Sequence, residues 1–88
     1  MYYIFVSRAF QKQFKDLDAS FQERVRKALR ELSENPFKSR PRADIKLLIN
    51  THPQKYRLRI GNFRIVYYVM GDTVKIIEIF RRKKGYQE

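Results

Sequence analysis

Eighty-eight residues, 43% of them hydrophobic and 15% aromatic, are enough for one modest core and too few for a second. The absence of cysteine excludes disulfides, thiolate metal sites and a cysteine nucleophile, and suits a reducing compartment. Twenty Lys/Arg against nine Asp/Glu leave a net charge of +11, which implies a polyanionic partner: nucleic acid, an acidic protein segment or an anionic membrane.

In chain order, Tyr2–Val6 (YYIFV) is a β-branched and aromatic run that predicts a buried strand. It is too short for a signal-peptide core, and no apolar run approaches a membrane span. The expectation is a soluble, cytoplasmic chain. Ser7 is placed to cap a first helix in which Phe10, Phe14 and Leu17 recur at helical spacing. The residues DLDAS break that helix, and Ser20–Glu23 (SFQE) reads as a capping box for a second. Phe21, Val25, Ala28, Leu29 and Leu32 form its apolar stripe, and Asn35-Pro36 ends it. The pair is an amphipathic helical hairpin with polar outer faces.

Basic charge concentrates after this point. Residues 1–34 hold seven Lys/Arg against five Asp/Glu, whereas residues 35–88 hold thirteen against four. A basic, proline-punctuated loop (PFKSRPRA) leads to a strand at DIKLLI, then a second loop, NTHPQK. The lone histidine, His52, sits in that loop without the partners that a metal site or a serine triad needs.

Gly61-Asn62 and Gly71-Asp72 each separate two alternating runs and predict two successive two-residue hairpins. Such turns set the register. Ile60 then faces Phe63, Arg59 faces Arg64 and Arg57 faces Val66. Across the second turn, Met70 faces Thr73, Tyr68 faces Lys75 and Val66 faces Ile77. Opposed residues share a face. One face collects Tyr56, Leu58, Ile60, Phe63, Ile65, Tyr67, Val69, Val74, Ile76 and Phe80 as the core under the helices. Glu78 falls among them as an exception, explained by a bulge or a strand end. The other face carries Arg57, Arg59, Arg64, Tyr68 and Lys75 among Val66, Ile77 and Ile79. The architecture expected is α+β: a small, mainly antiparallel sheet of four to five strands with an N-terminal helical hairpin on one face, spanning residues 1–88 as a single domain.

Arg59 opposite Arg64 is a like-charge pair that costs roughly 0.8 kcal/mol at about 5 Å in water. A bound phosphate reverses the sign of that term, because each guanidinium can fork onto phosphate oxygens. Arg57, Arg59 and Arg64 are therefore the candidate anion site. The ending FRRKKGYQE adds consecutive bases and Tyr86, a combination suited to RNA: charge for phosphate, a ring for an unpaired base. Lys75, Arg81, Arg82, Lys83 and Tyr68 are expected to contact RNA. No histidine or carboxylate is expected in the arginine cluster, and no metal or cofactor is implied.

The segment YRLRIGNFRIVYYV, followed by VKIIEIFRRKKGY, resembles the Tyr-Arg-x-Arg-x-Gly-x-Tyr-Arg-x-x-Tyr core of the RelE/ParE superfamily of type II toxin–antitoxin toxins, with Phe63 at the usual tyrosine. The likeness runs over nearly the whole chain and is nearest to the RelE branch. It implies a RelE-like fold and metal-free cleavage of messenger RNA in the ribosomal A site, with the 2′-hydroxyl attacking the adjacent phosphate. Carried over, the catalytic positions fall on Arg57, Arg59, Arg64 and Tyr86, with the C-terminal base at Arg82 or Lys84. The resemblance also implies a RelB-like antitoxin as partner. The ParE branch implies the alternative, a non-catalytic inhibitor of DNA gyrase.

Overall fold

The computed structural model describes residues 1–82. Its elements run β1 (Tyr3–Val6), α1 (Arg8–Lys15), α2 (Ala19–Glu34), β2 (Asp44–Leu48), β3 (Lys55–Ile60), β4 (Phe63–Met70) and β5 (Thr73–Arg81). The strands form one five-stranded sheet in the order β1-β5-β4-β3-β2. β1 pairs parallel with β5 and every other pairing is antiparallel. The expected α+β architecture is the observed one. No helix among the described residues is long and apolar enough to cross a membrane.

Both helices start on capping side chains. Ser7 Oγ accepts from the Phe10 N–H at 3.0 Å, as expected. The second cap is Asp18 and not Ser20. Asp18 accepts from the Phe21 N–H at 2.8 Å and from the Ser20 hydroxyl at 2.9 Å. A carboxylate at this position also meets the positive end of the helix dipole, so the helix starts two residues earlier than a serine cap requires. Those bonds, the Phe21 N–H first, hold the Asp18 carboxyl below the usual aspartate range. Glu23, freed from capping, pairs with Arg26 at 3.4 Å and Arg30 at 3.6 Å. Past Asn35, Arg40 closes the helix end by donating to the carbonyls of Glu31, Asn35 and Lys38 and to the Glu31 carboxylate at 3.1 Å.

The helical hairpin covers one sheet face. Phe10, Val25, Ala28 and Leu32 pack there against Leu58, Ile60, Ile65, Tyr67, Val74, Ile76 and Ile79. Tyr67 is fully buried and donates its hydroxyl to the Pro36 carbonyl at 2.7 Å. Burial pushes its phenol well above the ordinary tyrosine range.

The two hairpins have the expected turns, with Gly61 at φ 54° and Gly71 at φ 60°. The register of β3 on β4 is also the expected one, Arg59 opposite Arg64 included. On β5 the expected register holds only from Thr73 to Ile76. Tyr67 pairs with Ile76, but Val66 pairs with Glu78, so Ile77 is a bulge residue. Three assignments change with it. Ile79, not Phe80, enters the core, while Glu78 and Phe80 turn to the outer face.

The bulge sits where β1 ends and α1 takes its place beside β5. There the Ser7 hydroxyl donates to the Ile77 carbonyl, and Gln13 Oε1 accepts from the Ile79 N–H at 2.7 Å. The cap of the first helix and one of its side chains thus satisfy edge groups that β1 is too short to reach. β1 itself is not the buried strand expected. It is an edge strand, with Tyr3 71% and Phe5 56% exposed, because the helices cover only the face of Ile4 and Val6.

Candidate nucleic-acid interface

The registers sort the outer face into rows. One row reads Asp44, Arg59, Arg64, Phe80 from β2 to β5; the next reads Lys46, Arg57, Val66, Glu78. Arg57, Arg59 and Arg64 therefore share the face left bare by the helices. Within it their environments differ. Arg59 is exposed, Arg57 is 9% exposed and Arg64 only 2%.

Arg64 reaches back over the hairpin turn. Its Nη1 donates to the Gly61 carbonyl at 3.2 Å and the Phe63 carbonyl at 3.1 Å. Its pKa is lowered from the usual arginine value, first by burial, then by the charges of Arg59, Arg57 and Arg82, with Asp44 opposing. Four guanidinium groups thus share one field. Arginine keeps its charge through such shifts, so the site holds concentrated positive charge where solvent is partly excluded.

Arg57 is held by Asp44. Its Nη1 donates to the Asp44 carbonyl at 3.0 Å and lies 3.3 Å from the carboxylate. The expectation of a cluster without carboxylates is thereby corrected. Asp44 enters through the pairing of β2 with β3, across a loop whose length sets no register. Glu78 enters the same face through the bulge.

The remaining expected contacts divide. Arg82 joins the cluster, its backbone N–H bonded to the Asn62 carbonyl at 2.6 Å. Tyr68 and Lys75 are cross-strand partners on the same outer face. Arg81 is elsewhere: it pairs with Phe63 and lies over that ring at 5.1 Å, on the helix side. Lys83, Lys84 and Tyr86 fall outside the described residues. Lys46, Phe5 and Asp44 on this face had no signal of their own in the sequence, and only the strand order reveals them; Lys55 follows from the Gly61-Asn62 turn, which sets it opposite Tyr68.

Around the β3–β4 turn the basic surface continues. Arg59 and Gly61 line a groove with Arg24, Lys27 and Arg42, between α2 and the loop that follows it. Among the described residues, no three His, Cys, Asp or Glu side chains come together as a metal site would need.

A surface of this kind can grip a phosphodiester and stabilise charge developing on it. Comparison with known proteins places the chain in a family. Residues 4–86 match the model of the ParE toxin of type II toxin–antitoxin systems. The toxin RelE3 of Methanocaldococcus jannaschii is 28% identical over 83 residues, 94% of this chain and 93% of its own length. A second RelE relative from that organism, RelE1, is 36% identical over 78 residues, 86% of this chain and 84% of its own. Among solved structures, an archaeal RelE–RelB complex from Pyrococcus horikoshii superimposes with a TM-score of 0.82 at 23% identity, covering 96% of this chain and 98% of that one.

Proposed function

We propose, from the premise that this chain belongs to the ParE toxin family of type II toxin–antitoxin systems, that it is a ribosome-dependent messenger-RNA endoribonuclease of the RelE kind. The observation that carries this reading is the sharing of one partly desolvated field by Arg57, Arg59, Arg64 and Arg82. A sheet that served only to fold gains nothing from placing Arg59 against Arg64.

In the proposed reaction the ribose 2′-oxygen attacks the neighbouring phosphorus and the bond to the 5′-oxygen breaks. A 2′,3′-cyclic phosphate and a 5′-hydroxyl result. Arg57, Arg59 and Arg64 hold the phosphate and stabilise the charge that builds up on its oxygens. Each guanidinium removed is expected to cost on the order of a hundredfold in rate. One proton leaves the 2′-hydroxyl and one reaches the 5′-oxygen. Arginine is a poor carrier for either. Asp44, half exposed beside Arg57, and Glu78, in the same row across β4, are the carboxylate acceptors that the described residues offer. Tyr86 and Lys84 are the positions to which the family resemblance assigns the C-terminal catalytic roles. With so little proton-transfer machinery, cleavage of free RNA is slow, and the ribosome supplies the positioning.

The likeness to a toxin solved as a RelE–RelB complex supports a RelB-like antitoxin as partner. An acidic segment folding along the basic face would neutralise it. The setting proposed is the cytoplasm, where messages are translated. The ParE description of the matched model supports a second reading, a non-catalytic inhibitor of DNA gyrase. Two assays on wild-type protein separate them. Primer extension on a translated message, with analysis of the new ends, is expected to show cleavage within codons and cyclic phosphate termini. Gyrase supercoiling is expected to be unaffected. Inhibited supercoiling with intact message would reverse the assignment.

A further inference from the structure

Two residues beyond Arg57 on β3 and two beyond Val66 on β4, the outer face changes character. The row reads Phe5, Lys75, Tyr68, Lys55 across β1, β5, β4 and β3: ring, cation, ring, cation. Phe5 is 56% exposed, and the Lys75 ammonium lies 4.4 Å from its ring centroid. Tyr3 and Met70, exposed in the next row, continue the apolar strip.

We infer that this row is a stacking platform for unpaired bases of single-stranded RNA, continuous with the arginine cluster and flanking the phosphate held there. The inference rests on the RNA-cleavage reading and extends it to a surface outside the arginine cluster. Three observations carry it. Phe5 and Tyr68 lie two strand spacings apart, roughly 10 Å, on the same side of the sheet. The row lies roughly 7 Å along the strands from Arg57 and roughly 13 Å from Arg64, so one extended strand of RNA spans both. The cations alternate with the rings, matching a ligand whose phosphates alternate with flat bases. A purely apolar partner would leave Lys55 and Lys75 to be desolvated without compensation.

The test uses the full chain and a short single-stranded RNA with 2′-O-methyl riboses and one 2-aminopurine. Wild type is expected to quench the 2-aminopurine emission on binding, as stacking does. Phe5→Ala and Tyr68→Ala are each expected to lose the quench and to weaken binding about fivefold or more, with the salt slope unchanged. Lys75→Met is expected to shallow that slope by roughly 0.7. Phe5→Tyr keeps the quench, and a Phe5→Ala thermal melt that matches wild type by circular dichroism separates stacking from a folding defect.

Wild-type binding without quenching, or a Phe5→Ala variant that binds and quenches like wild type, overturns the platform. So does a Phe5→Ala variant whose one change is from dimer to monomer in sedimentation, which makes the face a contact between copies. Cleavage of translated message by wild type is scored separately. Quenching without cleavage keeps the platform and removes the nuclease reading; cleavage without quenching does the reverse.

Discussion

The two faces of this sheet are made by alternate residues of the same strands, and they solve opposite problems. On the helix side, Leu58, Ile65, Tyr67, Val74 and Ile76 close a dry core, and the buried Tyr67 hydroxyl has a partner in Pro36. On the outer side, Arg64 is as covered as a core residue but sits among like charges. The first face is organised to lower the free energy of the chain alone. The second concentrates repulsion that an added anion would relieve. Stability belongs to one face and binding to the other, and substitutions should divide along that line.

The largest expected effect on folding is on the helix side. Ile65→Ala opens a cavity at a fully buried position and should cost about 2–5 kcal/mol, lowering Tm by roughly 10 °C or more. A shift of only a degree or two would mean that the core does not close there. Tyr67→Phe should follow, at about 1–2 kcal/mol, because the buried Pro36 carbonyl loses its donor. Arg59→Gln should do the reverse of a core substitution. It removes one member of the Arg59–Arg64 pair, so thermal stability should hold or rise by less than about 1 kcal/mol. RNA affinity should fall, with a salt slope shallower by roughly 0.7. A clear loss of stability in Arg59→Gln would blur the division between the faces.

The smallest effect belongs to neither face. The Asp18 carboxyl is depressed in the folded chain, so its contribution is present above the unfolded aspartate value near 4 and is lost as pH falls through the folded value. Wild type should lose Tm below about pH 4 more steeply than Asp18→Asn, whose amide still caps but does not titrate. Parallel Tm-against-pH curves would mean the charge contributes nothing.

How much of this could be read from the residues depends on how far apart the determining groups lie. Arg59 opposite Arg64 was countable because Gly61-Asn62 ties both strands through two residues. The bulge at Ile77 was not, since the groups that support it, Ser7 and Gln13, lie 70 and 66 residues from their partners. Glu78 on an apolar face was its one local trace. Asp44 reached the arginines across a loop that sets no register. The exposure of Phe5 follows from its strand being last in the sheet, a property of strand order that no local pattern carries.

The claim that the outer face is the cleaving face meets its most direct test in primer extension on a translated message, comparing wild type, Arg64→Ala and Arg26→Ala, with folding of each verified by circular dichroism. Arg26 pairs with Glu23 on α2, on the helix side of the sheet. Codon-spaced stops are expected with wild type and Arg26→Ala, and a loss on the order of a hundredfold with folded Arg64→Ala. Stops of wild-type strength from folded Arg64→Ala would contradict it.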